Sequence, residues 1–334
     1  MKATLAVLAL AIAAPAQAET CPPQAPSAPA RPPPHAGYLT PDGAVRITGY
    51  NDMRGLIEAW DTAFAAANPG VRFVPDLPST RSAPPALIAG RSALAPMGAE
   101  MTTADLAAYR RAIGSAPLVI RVAHDSLDPK ALSGPLGVVV ARDNPLGSLT
   151  LPQIARLFAA DGDARTWGDL GLTGDWAARP VHLVGIKPDT ALALVLQARA
   201  FPGRPYSPAL QGFGHSTDVV EAVAKDPAAV GFAAVNVATP EVKVLPLATA
   251  SGRPPVAPGR GALQAGLYPL DRQLLIYARR PLDRLVRAYL SLALSCRGQA
   301  IVAADPLGYI PLTPAQARIE RAKLRRGHAP WGGK

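Results

Sequence analysis

The chain has few cysteines, few aromatic residues and no long apolar run. Its two cysteines and five histidines do not cluster, which argues against a metal centre built from these ligands. No stretch after the N-terminus reaches the roughly 18 apolar residues of a membrane-spanning helix, so we predict none. Nucleophile-elbow, P-loop and dinucleotide-binding motifs are also absent from the sequence. We therefore expect a protein that is not an enzyme and has no catalytic residues, metal or cofactor.

The N-terminus has the three parts of a secretory signal peptide. Lys2 supplies the positive charge, residues 5–14 are apolar, and Ala16-Gln17-Ala18 forms an A-x-A cleavage site. We predict a signal peptide over residues 1–18, cleaved after Ala18. The triplet before Cys21, Ala18-Glu19-Thr20, matches a lipoprotein signal poorly, so we favour an exported protein without a lipid anchor.

Proline is concentrated just after the cleavage site. Residues 22–34 read PPQAPSAPARPPP, a composition that cannot form a packed core, so we interpret residues 19–43 as an extended tether. An even pair of cysteines in an oxidising compartment can form a disulfide. A Cys21–Cys296 bond would pin this tether to the C-terminal helices, and two free thiols are the alternative.

The formal net charge is +10, and much of the excess lies at the C-terminus. A basic tail can bind nucleic acid or anionic lipid. No aromatic residues interleave with these charges, and an exported protein seldom meets nucleic acid. We interpret the tail as a solvated terminal helix and expect no nucleic-acid partner. The basic residues from position 314 onward, set against Glu320, are Arg318, Arg321, Lys323, Arg325, Arg326 and Lys334.

Short β-like segments alternate with helical patterns from residue 44 onward, which indicates an α/β architecture. Thr150 with Gln153, and Thr313 with Gln316, are capping boxes with proline near the helix start. Ser216 or Thr217 is expected to cap a further helix, and residues 282–303 are expected to form one long helix. The predicted strands are 45–47, 71–74, 119–122, 136–141, 181–185, 229–235 and 272–278; the other predicted helices are 53–67, 83–90, 103–113 and 190–200.

The most informative segment is Gly49-Tyr50-Asn51-Asp52-Met53, where a strand turns on glycine into a helix. Met53, Leu56, Ile57, Trp60 and Phe64 recur on one helical face. Unpaired N–H groups and the helix dipole make such a turn a site for an anion. An ordinary β-α turn capped by Asn51 or Asp52 is the alternative.

Several segments resemble, in the same order, those of the PstS-like family of phosphate-transport substrate-binding proteins. Together they cover nearly all of residues 45–320, and although each motif is weak alone, the ordered set is specific. The segments are DNPLGSLT at 143–150, LF at 157–158, TWGDLG at 166–171, DPAAVGF at 226–232, YPLDRQLLIY at 268–277, LALSCRGQ at 292–299 and GYIPL at 308–312.

The resemblance implies an α/β fold of two lobes joined by crossing hinge strands, as in periplasmic binding proteins. The first lobe would comprise residues 44–140 and 264–334, and the second residues 141–263. A ligand would bind in the cleft between them. Such a receptor is expected to be a periplasmic monomer that hands its ligand to an inner-membrane ABC permease.

The resemblance also implies three ligand-binding loops. Asn51 and Asp52 lie in the first loop, Ser79, Thr80, Arg81 and Ser82 in the second, and Lys187 and Thr190 in the third. The hydroxyls and the guanidinium of the second loop would suit an oxyanion. Lys187 stands where the family has an arginine.

Two departures from the family pattern affect the expected ligand. A Ser-Arg or Ser-Asp pair is replaced by Gly98-Ala99, and Asp189 stands at the expected N-cap of the third-loop helix. A carboxylate there would compete with a bound anion. The resemblance thus favours uptake of phosphate or a related oxyanion or polar solute. An envelope sensor or interaction protein on the same scaffold is the alternative.

Overall fold

A computed structural model describes residue 21, residues 29–132 and residues 134–325. The predicted signal peptide, its cleavage site and residues 326–334 of the basic tail lie outside this range. The helices are α1 (Arg54–Ala67), α2 (Ala83–Ile88), α3 (Thr103–Ile113), α4 (Leu151–Phe158), α5 (Ala191–Ala200), α6 (Ser216–Lys225), α7 (Arg260–Gln264), α8 (Arg284–Ala293), α9 (Cys296–Ala303) and α10 (Pro314–Lys323). The strands are β1 (Val45–Thr48), β2 (Phe73–Asp76), β3 (Ala95–Met97), β4 (Leu118–His124), β5 (Leu136–Ala141), β6 (Leu149–Thr150), β7 (His182–Ile186), β8 (Gln211–Phe213), β9 (Ala229–Ala234), β10 (Val242–Val244), β11 (Leu247–Ala248), β12 (Gln273–Ala278) and β13 (Ile310–Pro311).

The first lobe packs helices α1, α8 and α9 around two small sheets. One sheet has the parallel strands β1 and β2, and the other has the antiparallel order β13-β4-β12-β3. The apolar stripe of α1 faces this core, since Leu56, Ile57 and Trp60 are fully buried. The indole of Trp60 donates to the Gly298 carbonyl at 3.0 Å, which ties α1 to α9.

The second lobe is built on a five-stranded mixed sheet with the order β10-β5-β9-β7-β8. Strands β5 and β9 are buried at every position, as expected for strands covered on both faces. Val219, Val220 and Val223 form the buried face of α6. The chain therefore has the predicted α/β fold, and each lobe has its own main core, with a smaller third cluster around Met97 and Tyr109 in the first lobe.

The chain crosses between the lobes twice, through residues 125–135 and 265–272. The crossing segments are hydrogen-bonded, with the Asp125 amide donating to the Arg272 carbonyl and the Leu136 amide to the Leu270 carbonyl. Because β5 pairs with β9 and β10, the first crossing precedes Leu136, and the boundary predicted at residue 140 falls inside a strand of the second lobe. The sequence predicts this strand correctly but does not specify which sheet it joins.

Residues 282–303 form two helices, so the predicted single long helix is wrong. The chain breaks at Leu294, and the Ser295 hydroxyl accepts from the Gly298 amide to cap the start of α9. A Cβ at Gly298 would lie 2.1 Å from the Leu292 carbonyl oxygen, so this close turn requires glycine.

The described residues of the predicted tether, residue 21 and residues 29–43, contact the first lobe through a disulfide and hydrogen bonds. Cys21 and Cys296 are joined by a disulfide with a Cα–Cα distance of 5.5 Å. Ala30 is buried and its amide donates to Asn68 Oδ1 at 2.7 Å, while the Tyr38 hydroxyl donates to Asp283 at 2.7 Å. Specific side-chain partners thus hold a segment whose composition alone predicts an extended chain.

Within the described ranges, no helix is long and apolar enough to cross a membrane.

Candidate functional site

A cavity of about 370 Å³ lies between the lobes. The first lobe and the crossing segments contribute one wall, and the N-termini of α5 and α6 contribute the other. The lining residues are Tyr50, Thr80, Gly98, Ala99, Leu132 and Arg272 on the first side and Ile186, Thr190, Ala191, Leu192, Gly214, His215, Ser216, Thr217, Ala234 and Val237 on the second.

The first predicted loop reaches this cavity through Tyr50. Asn51 is exposed, and Asp52 is buried behind the wall, where its Oδ2 accepts from the Leu132 amide at 3.1 Å and the Tyr50 hydroxyl at 3.4 Å. Burial raises the pKa of Asp52, and these hydrogen bonds partly oppose that rise. Asp52 therefore positions two lining residues.

Glycine is required at two places around this loop. A Cβ at Gly49 would lie 2.1 Å from the Pro96 carbonyl oxygen, and one at Gly98 would lie 2.5 Å from the Tyr50 ring. The Tyr50 ring thus occupies the space that a side chain at position 98 would fill. This packing explains why the serine expected from the family pattern is absent at Gly98.

In the second predicted loop, Thr80 is the member that lines the cavity. Its Oγ1 accepts from the Gly98 amide at 3.3 Å. The Ser82 hydroxyl donates to the Ser79 carbonyl at 2.7 Å, and the Ser79 amide donates to the Gly49 carbonyl at 3.0 Å. Ser79 and Ser82 thus fix the loop, while Arg81 is exposed and lines a second, larger cavity.

The third predicted loop places Thr190 in the cavity wall and Lys187 outside it. Thr190 is the N-cap of α5, with its Oγ1 accepting from the Ala193 amide at 3.4 Å and donating to the Lys187 carbonyl at 2.8 Å. The prediction that Asp189 caps this helix is wrong, because the chain enters the helix one residue later. Lys187 is exposed and its side chain lies beside Gly212 on β8, where a Cβ built on the glycine would be 3.3 Å from the Lys187 Cγ.

The start of α6 is a fourth part of the site that the sequence analysis missed. His215 is the N-cap residue, so the expected cap at Ser216 or Thr217 is wrong by at least one position. The Ser216 hydroxyl instead accepts from the Ala234 amide at 3.0 Å. A strand, a glycine and polar residues precede this helix, as they do at Gly49, so the same sequence pattern could have found it.

Arg272 supplies the buried positive charge beside the cavity. It is 6% exposed, lies 3.2 Å from an Asp125 carboxylate oxygen and donates to the carbonyls of Gly134 and Gly98. Its Nε has no hydrogen-bond partner among the described residues. Arg272 is not evident from the sequence as a site residue, because it stands at the start of a segment whose pattern predicts only a buried β-strand.

A second hydrogen-bonded pair lies next to Arg272, where the first lobe meets the crossing segments. His124 Nδ1 is 2.7 Å from Asp271 Oδ2, and both side chains are largely buried. Burial raises the pKa of Asp271, and its bond to His124 opposes that rise. Two pairs of neighbouring residues, His124-Asp125 and Asp271-Arg272, therefore join the end of β4 and the first crossing segment to the second crossing segment.

The site combines features that suit a small oxyanion. The first N–H groups of a helix have no partner within the helix and point along its positive dipole end. Two such ends, those of α5 and α6, meet the hydroxyl of Thr80 across the cavity. Among the described residues, no group of three His, Cys, Asp or Glu side chains is placed to hold a metal ion.

The chain matches no protein-family model. It is 31% identical over 291 residues to the phosphate-binding protein PstS of Pseudomonas aeruginosa, an alignment that covers 84% of this chain and 86% of that protein.

Solved structures with the same fold include an ABC-type phosphate transport receptor from Vibrio cholerae and PstS from Borrelia burgdorferi. Each superposes with a TM-score of 0.57, at 15% and 13% sequence identity respectively. The Vibrio match covers 79% of this chain and 98% of the other, and the Borrelia match covers 81% and 99%. At these identities the structures bear on the fold alone.

Proposed function

Because the chain belongs to the family of PstS phosphate-binding proteins, we propose that it captures phosphate or a related small oxyanion between its two lobes. The observation that carries the proposal is the meeting of two helix N-termini with the Thr80 hydroxyl and the buried Arg272 in one cavity between the lobes. N–H and hydroxyl donors hold an oxyanion by charge-assisted hydrogen bonds without a full counter-charge.

Of the predicted residues, Thr80 is assigned direct contact with the anion, which its hydroxyl would reach from the first lobe. Thr190 is assigned a positioning role, because its hydroxyl and its amide both donate to the Lys187 carbonyl while it caps α5, whose following N–H groups would hold the anion from the second lobe. Ser79, Ser82 and Asp52 are assigned positioning roles, because each holds a loop or a lining residue.

Three exposed side chains take part only if the lobes move closer around the ligand. Asn51, Arg81 and Lys187 lie at or outside the rim of the cavity, so their contribution would come with hinge closure. His215, Ser216 and Thr217 join the proposed site from α6.

The cellular setting follows from the family and the N-terminal sequence. We assign residues 1–18 to a cleaved signal peptide and the mature chain to the periplasm. There the protein would work as a monomeric receptor without catalytic activity and deliver its ligand to an ABC permease. The envelope-sensor alternative receives no support from the comparisons.

Calorimetric titration of the chain from residue 19 onward tests this function. Phosphate should bind with a Kd in the micromolar range or tighter, and Thr217→Val should weaken binding, because it removes the hydroxyl of a lining residue at the start of α6. The matched control is Thr62→Val, since Thr62 lies on the exposed side of α1. Absence of binding at millimolar phosphate, arsenate and sulfate would contradict the proposal.

A further inference from the structure

A second cavity of about 920 Å³ adjoins the first one between the same two lobes. Thr80, Ala99 and Ala191 line both cavities, so the two spaces share a boundary made largely of small side chains. Cavities of roughly 300–1,000 Å³ hold organic ligands of drug-like size. The second space therefore offers far more room than an inorganic oxyanion fills.

The walls of the second cavity are largely apolar. Met97 and Met101 contribute from the first lobe and are nearly fully buried, while Leu194 and Val195 contribute from α5. Methionine side chains adapt to ligands of irregular shape. Such walls favour a ligand part that carries methylene groups, because each one removed from water adds to the affinity.

Charged side chains at the edge of this cavity select against a second anionic group. Two arginines, Arg81 and Arg199, and three acidic residues, Glu100, Asp105 and Asp189, line this cavity. The surplus of one negative charge disfavours a carboxylate or a second phosphate relative to a neutral or cationic group. Because Arg199 lies 3.5 Å from Glu100 of the other lobe, an ion pair also joins the two walls here.

We propose that the preferred ligand is an organic phosphorus oxyanion, either a phosphonate or a phosphate monoester, with a short neutral or cationic substituent. Its anionic head occupies the first cavity, at the starts of α5 and α6. Its substituent passes Ala99 and Ala191 into the second cavity. This inference rests on the proposed function, since it keeps the same anion site and adds the substrate class.

Calorimetric titration of the mature chain with four probes tests the proposal. The probes are inorganic phosphate, propylphosphonate, 3-aminopropylphosphonate and 3-phosphonopropionate. Each buried methylene is worth about a fourfold gain in affinity, so propylphosphonate should bind at least ~10-fold tighter than phosphate. The amine should bind at least as tightly as the propyl compound, and the carboxylate at least ~10-fold more weakly than the propyl compound, because of the acidic surplus.

A variant that fills the second cavity tests the proposed substituent pocket independently of the proposed phosphate site. Ala198 is an exposed residue of α5 that lines only the second cavity, so Ala198→Trp should abolish the advantage of propylphosphonate and leave inorganic phosphate within twofold. Ala315→Trp, at an exposed position of α10, is the matched control and should change neither affinity.

The outcomes are distinguishable. If phosphate binds and the phosphonates bind no tighter, or if Ala198→Trp weakens both ligands equally, the substrate class is overturned and the oxyanion receptor stands. If none of the four probes binds, both proposals fall. If the organic probes bind and phosphate does not, the substrate class stands and the proposed function narrows to organic oxyanions.

Discussion

At the scale of single residues, Thr190 links the stability of the second lobe to ligand binding. Its hydroxyl caps α5 and faces the cavity, whereas Asp189, which the sequence favoured as the cap, lines the neighbouring cavity. With Thr190 as the cap, the Asp189 carboxylate does not occupy the N-cap position, where it would compete with a bound anion. The sequence alone could not show which of the two residues caps α5, since aspartate and threonine are both favoured at the N-cap.

Replacing Thr190 by valine should lower both stability and affinity. Loss of an N-cap costs about 1 kcal/mol, and because the cap orders the first turn of α5, whose N–H groups would hold the anion, phosphate binding should weaken as well. Thr313→Val removes an equivalent cap from α10, far from the cavity. Chemical denaturation and calorimetry should show similar destabilisation in both variants but weaker binding in Thr190→Val alone. Equal affinities in the two variants would remove Thr190 from the site.

A buried carboxyl in the first lobe makes stability depend on pH. Asp61 is 8% exposed and accepts from the Tyr289 hydroxyl at 2.7 Å, and burial raises its pKa from 3.8 to about 7. Between these values the folded protein holds a proton that the unfolded chain has lost. The free energy of unfolding should therefore fall as pH rises from about 4 to 7, by up to about 4 kcal/mol from this group.

Asp61→Asn should remove that dependence, because an amide stays neutral and can still accept from Tyr289. The stability gained over the parent chain should grow between pH 4.5 and pH 7.5 in urea denaturation. Asp42→Asn serves as the control, since Asp42 is exposed and the Thr40 hydroxyl lowers its pKa. A difference between Asp61→Asn and the parent that does not change with pH would show that Asp61 ionises normally.

At the scale of elements, local sequence signals were most reliable where a helix has its own caps. The predicted helix over residues 103–113 is α3, with a capping box at Thr102 and a left-handed glycine at Gly114. Both capping boxes with proline, at Thr150 and Thr313, are present. The errors occur where tertiary contacts set the ends, as at Ser216, whose hydroxyl binds a neighbouring strand, and at the break between α8 and α9.

The disulfide between Cys21 and Cys296 is expected to stabilise the folded chain. The disulfide joins Cys21 to the start of α9 and closes a long loop, so the double variant Cys21→Ser/Cys296→Ser should lose about 2–4 kcal/mol of stability. Phosphate affinity should stay within twofold, because α9 lies outside the cavity wall. Urea denaturation and calorimetry check both statements. Stability equal to that of the parent chain would show that the disulfide does not stabilise the fold.

At the scale of the whole molecule, the order of motifs along the chain was enough to predict two lobes and a cleft. It was not enough to place the first crossing or to identify the residues that face the cleft. Arg272 comes from a crossing segment and His215 from a helix start in the second lobe, so only the folded chain brings them together with Thr80. Lys187 shows the reverse case, because it matches the family pattern in sequence but does not line the cavity.

The central claim is that an anion bridges the two lobes at the starts of α5 and α6. A crystal structure of the mature chain grown with phosphate tests it most directly. We predict density for one phosphate within hydrogen-bond distance of Thr80 in the first lobe and of the Ala191 and Thr217 amides in the second. Phosphate bound to one lobe alone, or an empty cleft under saturating phosphate, would contradict the account.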